Sequence, residues 1–208
     1  MMRIKKSKYS AGFTLVELLV TMVLTMVVIA PMYSVYENSS KNYTIQNEVT
    51  EAENNLRAAI GLLNYDLKTV GYDPTGTANV GITSATATGV TFTTDENGDG
   101  TIDAGETISY SVGAADANGH FPLLRGAGVV AENIQAIEFY YNDTSTTPAD
   151  LTAIRKISVS VLAVTEHKDP KFGSQSFPPT PSGALWTTAP EFRGKFMILS
   201  VYCRNMGL

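Results

Sequence analysis

The residues Phe13–Met32, FTLVELLVTMVLTMVVIAPM, carry a single charge, Glu17, and nothing else in the chain restricts its fold as strongly. An apolar run of this length crosses a hydrocarbon core about 30 Å thick as one helix. The residues before it, MMRIKKSKYSAG, hold Arg3, Lys5, Lys6 and Lys8 and no acid. Such a basic flank stays cytoplasmic and sends the following bulk across the membrane. Removing this flank takes away four of the 15 basic side chains and none of the 20 acidic ones, so the remainder is more acidic than the net −5 of the whole. An acidic surface opposes nucleic-acid binding, and no nucleic-acid partner is expected. A cleaved secretory signal has a shorter apolar core and ends in small residues; here Pro31, Met32 and Tyr33 close the run.

Two residues distinguish this run from a plain membrane anchor. Glu17 lies early in the apolar stretch, where a carboxylate at a helix centre costs about 2.5–3.5 kcal/mol and needs a partner or a purpose. Gly12 stands at the junction of basic leader and apolar helix, where a protease can accommodate the backbone easily. Cleavage between Gly12 and Phe13 would free the α-amine of Phe13, four residues from Glu17 on the same helix face. The string Gly12-Phe13-Thr14-Leu15-Val16-Glu17 resembles the prepilin cleavage motif of the type IV pilin and type II secretion pseudopilin superfamily. That resemblance implies a prepilin peptidase that cuts after Gly12 and methylates Phe13. It also implies that Glu17 docks the subunit into a filament by neutralising a neighbour's amine.

Beyond the run, Ile45, Val49, Ala52, Leu56, Ile60, Leu63, Leu67 and Val70 recur at spacings of three and four. They form the apolar stripe of a helix that ends near residue 70, before Gly71 and Asp73-Pro74. Joined to the membrane run, this predicts one helix of about 80–85 Å. Pro31 should kink or loosen it. After Val80 the period changes to two, and strands are predicted over Gly89–Thr94, Glu106–Val112, Asn133–Tyr141, Ile154–Thr165 and Lys195–Arg204. The expected fold is α+β, a long amino-terminal helix packed on an antiparallel sheet, which is also the pilin arrangement. The expected organisation is a leader over 1–12, a transmembrane or filament-core helix over 13–32 and a soluble domain over 33–208. The stretch 167–190 holds five prolines with Gly and Ser and reads as a long mobile loop, hence a contact surface.

A looser set of matches narrows the subfamily. Leu56-Arg57-Ala58-Ala59, the run Tyr65–Pro74, Val130-Ala131-Glu132-Asn133-Ile134 and the closing Ser200–Asn205 resemble PilW-type minor pilins. This resemblance implies a minor pilin held as a single-pass protein of the bacterial inner membrane, its carboxyl-terminal domain periplasmic, and later part of a pilus. Its partners would be other pilins or pseudopilins. A minor pseudopilin of type II secretion and a membrane-anchored adhesin or receptor that never polymerises remain alternatives.

An enzyme is not expected. Cys203 is alone, and His120 and His167 are the only histidines, too few for a zinc site or a histidine relay. Both histidines sit in turn-like surroundings and read as surface residues, and Cys203 reads as a buried small hydrophobe. Gly126-Ala127-Gly128 through Ala131 fits a dinucleotide-binding string, but a strand follows where a helix would be needed. The strongest chemical motif is Asp95–Glu106, DENGDGTIDAGE. It satisfies the twelve-residue calcium-loop pattern, with Asp95, Asn97, Asp99, Thr101, Asp103 and Glu106 at the ligand places and Gly100 at the sharp turn. A structural calcium ion is expected there; a polar hairpin turn is the alternative.

Overall fold

The computed structural model describes residues 12–207. The basic leader residues Arg3, Lys5, Lys6 and Lys8 lie outside the described residues. The chain divides into two units between Thr44 and Ile45. Helix α1, Leu15–Thr69, is the first element and contributes to both.

In the first unit every helical residue is exposed, including the apolar side chains from Leu15 to Ile29. It is the one helix among the described residues long and apolar enough to cross a membrane by length and composition. The helix continues through Pro31. The proline has no N–H to give the carbonyl four residues earlier, so Val27 loses that bond while the helix persists.

In the second unit the helix buries Ala52, Leu56, Ala59, Leu63 and Leu67 against a seven-stranded sheet. Gly71 ends it with φ +72°, the left-handed conformation that closes helices without a side-chain penalty. A Cβ there would also press on the Met206 sulfur at 3.1 Å. The strands are β1 (Gly81–Thr86), β2 (Gly89–Thr93), β3 (Thr107–Val112), β4 (Phe121–Arg125), β5 (Gly128–Tyr141), β6 (Lys156–Val164) and β7 (Gly194–Tyr202). They lie side by side in chain order, each antiparallel to the next. The α+β class read from the sequence is the class observed.

Strands β1 and β4 were not legible from the period-two pattern. The sequence of β1, GITSAT, is small and polar, and β4 contains Pro122. The proline is tolerated because the register between β4 and β5 shifts on either side of Leu123, and a missing N–H costs little at such irregularities.

Strand β6 is buried on both faces. Ile157, Val159, Val161 and Ala163 meet the helix side of the core, while Ser158, Ser160, Leu162 and Val164 are buried on the other face. That second face is covered by the segment 165–193, which is irregular and largely exposed as expected of the loop over 167–190, but has part of its length packed on the sheet. Gln135 on β5 donates to the Thr187 carbonyl at 2.8 Å and accepts from the Ala189 N–H at 3.0 Å. Trp186 stands edge-on to Phe196 with ring centres 5.7 Å apart, and Phe177 packs on the same ring at 5.6 Å. Gly194 permits this approach, since a Cβ there would meet the Thr188 methyl at 2.6 Å. The prolines fix an irregular path, and the aromatics between them supply the apolar cover that the sheet's second face requires. Trp186→Ala is therefore expected to cost about 1–2 kcal/mol, since the ring is half-buried and paired. An unchanged melting midpoint would restore the loose-loop reading.

Candidate functional site

The amino-terminal motif begins with Gly12, which has no neighbouring atom within 4 Å of the place a Cβ would occupy, and Phe13, which is 84% exposed. Thr14 stands just before the helix. The Glu17 carboxylate accepts the Thr14 N–H at 3.0 Å and the Thr14 hydroxyl at 2.9 Å, and the Glu17 N–H donates to the Thr14 hydroxyl oxygen at 3.3 Å. This reciprocal arrangement is a capping box, which satisfies N–H groups that the first turn would otherwise leave free. Within the chain, Thr14 is thus a hydrogen-bond partner of the Glu17 carboxylate. The T-x-x-E spacing at 14–17 was present in the sequence and was the signal to read.

The acidic loop joins β2 to β3. Asp95 is fully buried and accepts the N–H groups of Gly98 at 2.7 Å and Gly100 at 3.0 Å. Glu106 accepts the N–H of Glu96 at 2.9 Å, of Asn97 at 3.2 Å and of Asp103 at 2.8 Å. The Asn97 amide donates to both Asp99 and Asp103 at 3.2 Å, which brings those two carboxylates onto one point. Gly100 has φ +83°, and a Cβ there would collide with the Thr77 hydroxyl. The Asp103 N–H holds the Glu106 carboxyl below its ordinary value, with burial and the Asp99 charge pushing back. Bonds from Thr101 lower Asp99 likewise. Both are acceptor-only carboxylates at neutral pH. Among the described residues no three His, Cys, Asp or Glu side chains gather into a metal-binding group.

A third polar constellation lies in the core. Asp66, 1% exposed, accepts the Tyr110 hydroxyl at 2.6 Å and the Arg125 guanidinium at 2.6 and 3.3 Å. It ties the helix to β3 and β4. Sequence reading missed it because Asp66 interrupts the apolar stripe without altering its period.

The histidines differ from expectation in part. His167 is exposed, and its ring lies 3.0 Å from Glu48. His120 is not on the surface: it is 2% exposed, stands edge-on to Phe192 with ring centres 4.6 Å apart, and has no partner for either ring nitrogen. The 165–193 segment that carries Phe192 is what buries it. Burial pushes its pKa below the ordinary value, opposed by Asp116. Cys203 is buried, and burial pushes its thiol up to about 11, so it is inert at neutral pH. Gly126 and Gly128 flank the β4–β5 hairpin turn, a strand-to-strand connection with no helix for a nucleotide.

Residues 7–33 match the model of the prokaryotic N-terminal methylation motif. A type IV-like pilin from Thermus thermophilus is similar in structure, with TM-score 0.47 and 18% sequence identity over 74% of this chain and 97% of that one. No curated protein matches the chain. The chain thus carries a prokaryotic N-terminal methylation motif on an apolar helix, followed by a helix-and-antiparallel-sheet unit.

Proposed function

We propose that the chain is a minor pilin of a type IV pilus, made as an inner-membrane prepilin and cut by prepilin peptidase between Gly12 and Phe13. The observation that carries this reading is the methylation motif over residues 7–33, on a helix whose apolar side chains from Leu15 to Ile29 are all exposed. A helix apolar on every side is stable in a membrane or among other such helices. In a filament it packs with equivalent helices of other pilins, and the sheet unit lies outside the membrane. Phe13 is then the methylated amino terminus and Glu17 the residue that meets a neighbour's amine. The narrower PilW-type assignment rests on the matches at Leu56–Ala59, Tyr65–Pro74, Val130–Ile134 and Ser200–Asn205. Mass spectrometry of the membrane-extracted protein tests the processing: the expected first residue is N-methylated Phe13. Intact Met1 would leave the non-polymerising anchored protein as the better reading.

The same reading includes a structural calcium ion in the loop 95–106. The convergence of Asn97, Asp99 and Asp103, with Asp95 buried beneath them, favours it. Asp95, Asn97, Asp99, Asp103 and Glu106 would supply side-chain oxygens and Thr101 its carbonyl. The ion would offset the repulsion of four carboxylates and clamp the end of β2 to the start of β3. Extracellular sites of this type have Kd of roughly 10⁻⁴–10⁻³ M. At tenfold excess, calcium is expected to stabilise the fold by about 1.4 kcal/mol. Melting with calcium and then with chelator should separate the midpoints, and Asp95→Ala with Glu106→Ala should abolish the difference. Equal midpoints at millimolar calcium would leave the polar hairpin turn.

A further inference from the structure

Strand β7 is an edge of the sheet, with β6 as its only sheet neighbour. Its pairing runs unbroken from Gly194 opposite Val164 to Tyr202 opposite Lys156. The other edge, β1, is shorter, and its register slips between Ile82 and Ser84. The Cys203 N–H donates to the Arg155 carbonyl at 2.8 Å, and the Thr165 N–H donates to the Arg193 carbonyl at 2.9 Å. These two bonds fix the odd-numbered residues of β7 as the ones whose backbone groups face β6. Alternate residues of an antiparallel strand turn theirs the opposite way. Phe196, Ile198, Ser200 and Tyr202 therefore present N–H and C=O groups outward, and among the described residues these groups have no partner. Proteins blunt such edges with bulges, prolines or charges. From Phe196 to Tyr202 there is no charge, no proline and no bulge. Ile198 and Tyr202 are 44% and 65% exposed beside the open edge.

We infer that this edge is a docking surface for β7 of a second copy of the chain, paired antiparallel about Leu199. The strand is self-complementary in that register. Ile198 faces Ser200 of the second copy and Phe196 faces Tyr202, and in both pairs outward-turned backbone groups meet. Met197 faces Val201 and Leu199 faces its own equivalent, in the closer pairs that lie between hydrogen-bonded ones. Lys195 faces Cys203 and Arg204 faces Gly194, so no like charges stand opposed. Lys195 pairs with Glu53 and the Asn205 amide reaches the Lys68 carbonyl, which shows the helix running alongside β7 in the same direction. The two-fold pairing sets the 45–69 helix segments of the two copies in opposite directions. That opposed arrangement is distinct from the parallel packing of subunits that the proposed filament requires.

The test is disulfide trapping on the full chain in detergent, with Cys203→Ala to remove the native thiol. Leu199→Cys is expected to give a dimer whose yield rises with protein concentration, while Met197→Cys gives none. Ser200→Pro removes one outward N–H and leaves the β6 ladder intact, and it is expected to abolish the dimer. Should circular dichroism show that this variant unfolds, Ile198→Lys with Ser200→Lys replaces it. Both positions are exposed, and the pair sets Lys against Lys across the axis, with the same expected loss. No dimer from Leu199→Cys, equal yields from positions 197 and 199, or a dimer that survives these substitutions would each overturn the inference.

Discussion

Arg125→Ala is expected to destabilise the sheet unit by about 3–5 kcal/mol, because it strands the buried Asp66 carboxylate with one remaining partner. Asp66→Ala should cost less, although it removes the residue at the centre of the network. The Arg125 side chain is 40% exposed and can turn its charge to water once Asp66 is gone. The chief penalty then is a buried Tyr110 hydroxyl without an acceptor, about 1–3 kcal/mol. Tyr110→Phe should be the mildest of the three. Urea unfolding at constant m-value ranks them, and equal losses for Arg125→Ala and Asp66→Ala would show that burial of the carboxylate is not the deciding term. Burial, then the Asp66 hydrogen bond and charge, push the Tyr110 phenol far above its ordinary value. A pKa raised on folding contributes stability that is complete below the unfolded value, near 10, and is lost as pH rises beyond it. The wild type should therefore lose stability above about pH 10 more steeply than Tyr110→Phe.

Glu17→Ala is expected to leave the chain processed and membrane-bound but absent from sheared filaments. Two physical roles could explain such a loss, since the carboxylate both caps the helix and carries the charge that would meet a neighbour's amine. Glu17→Gln separates them. Glutamine also serves at the third position of a capping box, so this variant keeps the cap and loses only the charge. Absence of both variants from filaments, measured by immunoblot against the membrane fraction, assigns the role to the charge. Normal incorporation of Glu17→Gln would assign it to the cap, a local effect of about 1 kcal/mol.

The helix and most of the sheet were readable because their signals are local. Of the stripe from Ile45 to Val70, Ala52, Leu56, Leu63, Leu67 and Val70 are buried and Ile45, Val49 and Ile60 are half-buried, and five runs of alternating β-branched and aromatic residues became strands. What escaped reading depends on distant segments. Strand β4, with Pro122 in it, escaped because the register shifts that accommodate the proline belong to its pairing with β5. The 167–190 stretch was legible as a long loop but not as one packed on the sheet, because proline marks irregular backbone whether or not that backbone is docked. Its docking depends on the second face of β6, a strand whose near end, Val164, lies 22 residues before Trp186. The burial of His120 follows from the same docking through Phe192. In the acidic loop the ligand residues were legible from spacing alone, whereas the bonds that hold Asp95 and Glu106 to backbone N–H groups required the folded turn.

The strictly sequential order of the seven strands bears on how the chain comes to be folded. Each strand finds its partner in the strand made immediately before it, so every pairing except that of β6 with β7, which spans the 165–193 segment, closes a comparatively short loop. Contacts of low sequence separation form early and quickly. A chain emerging amino terminus first can add one hairpin at a time onto a helix that is already complete. Only the cover over β6 and the last rung, β7, must wait for the residues after Val164. Until then β6 is itself a bare, apolar edge, so the period before the carboxyl terminus is released is when the growing protein is most prone to wrong association.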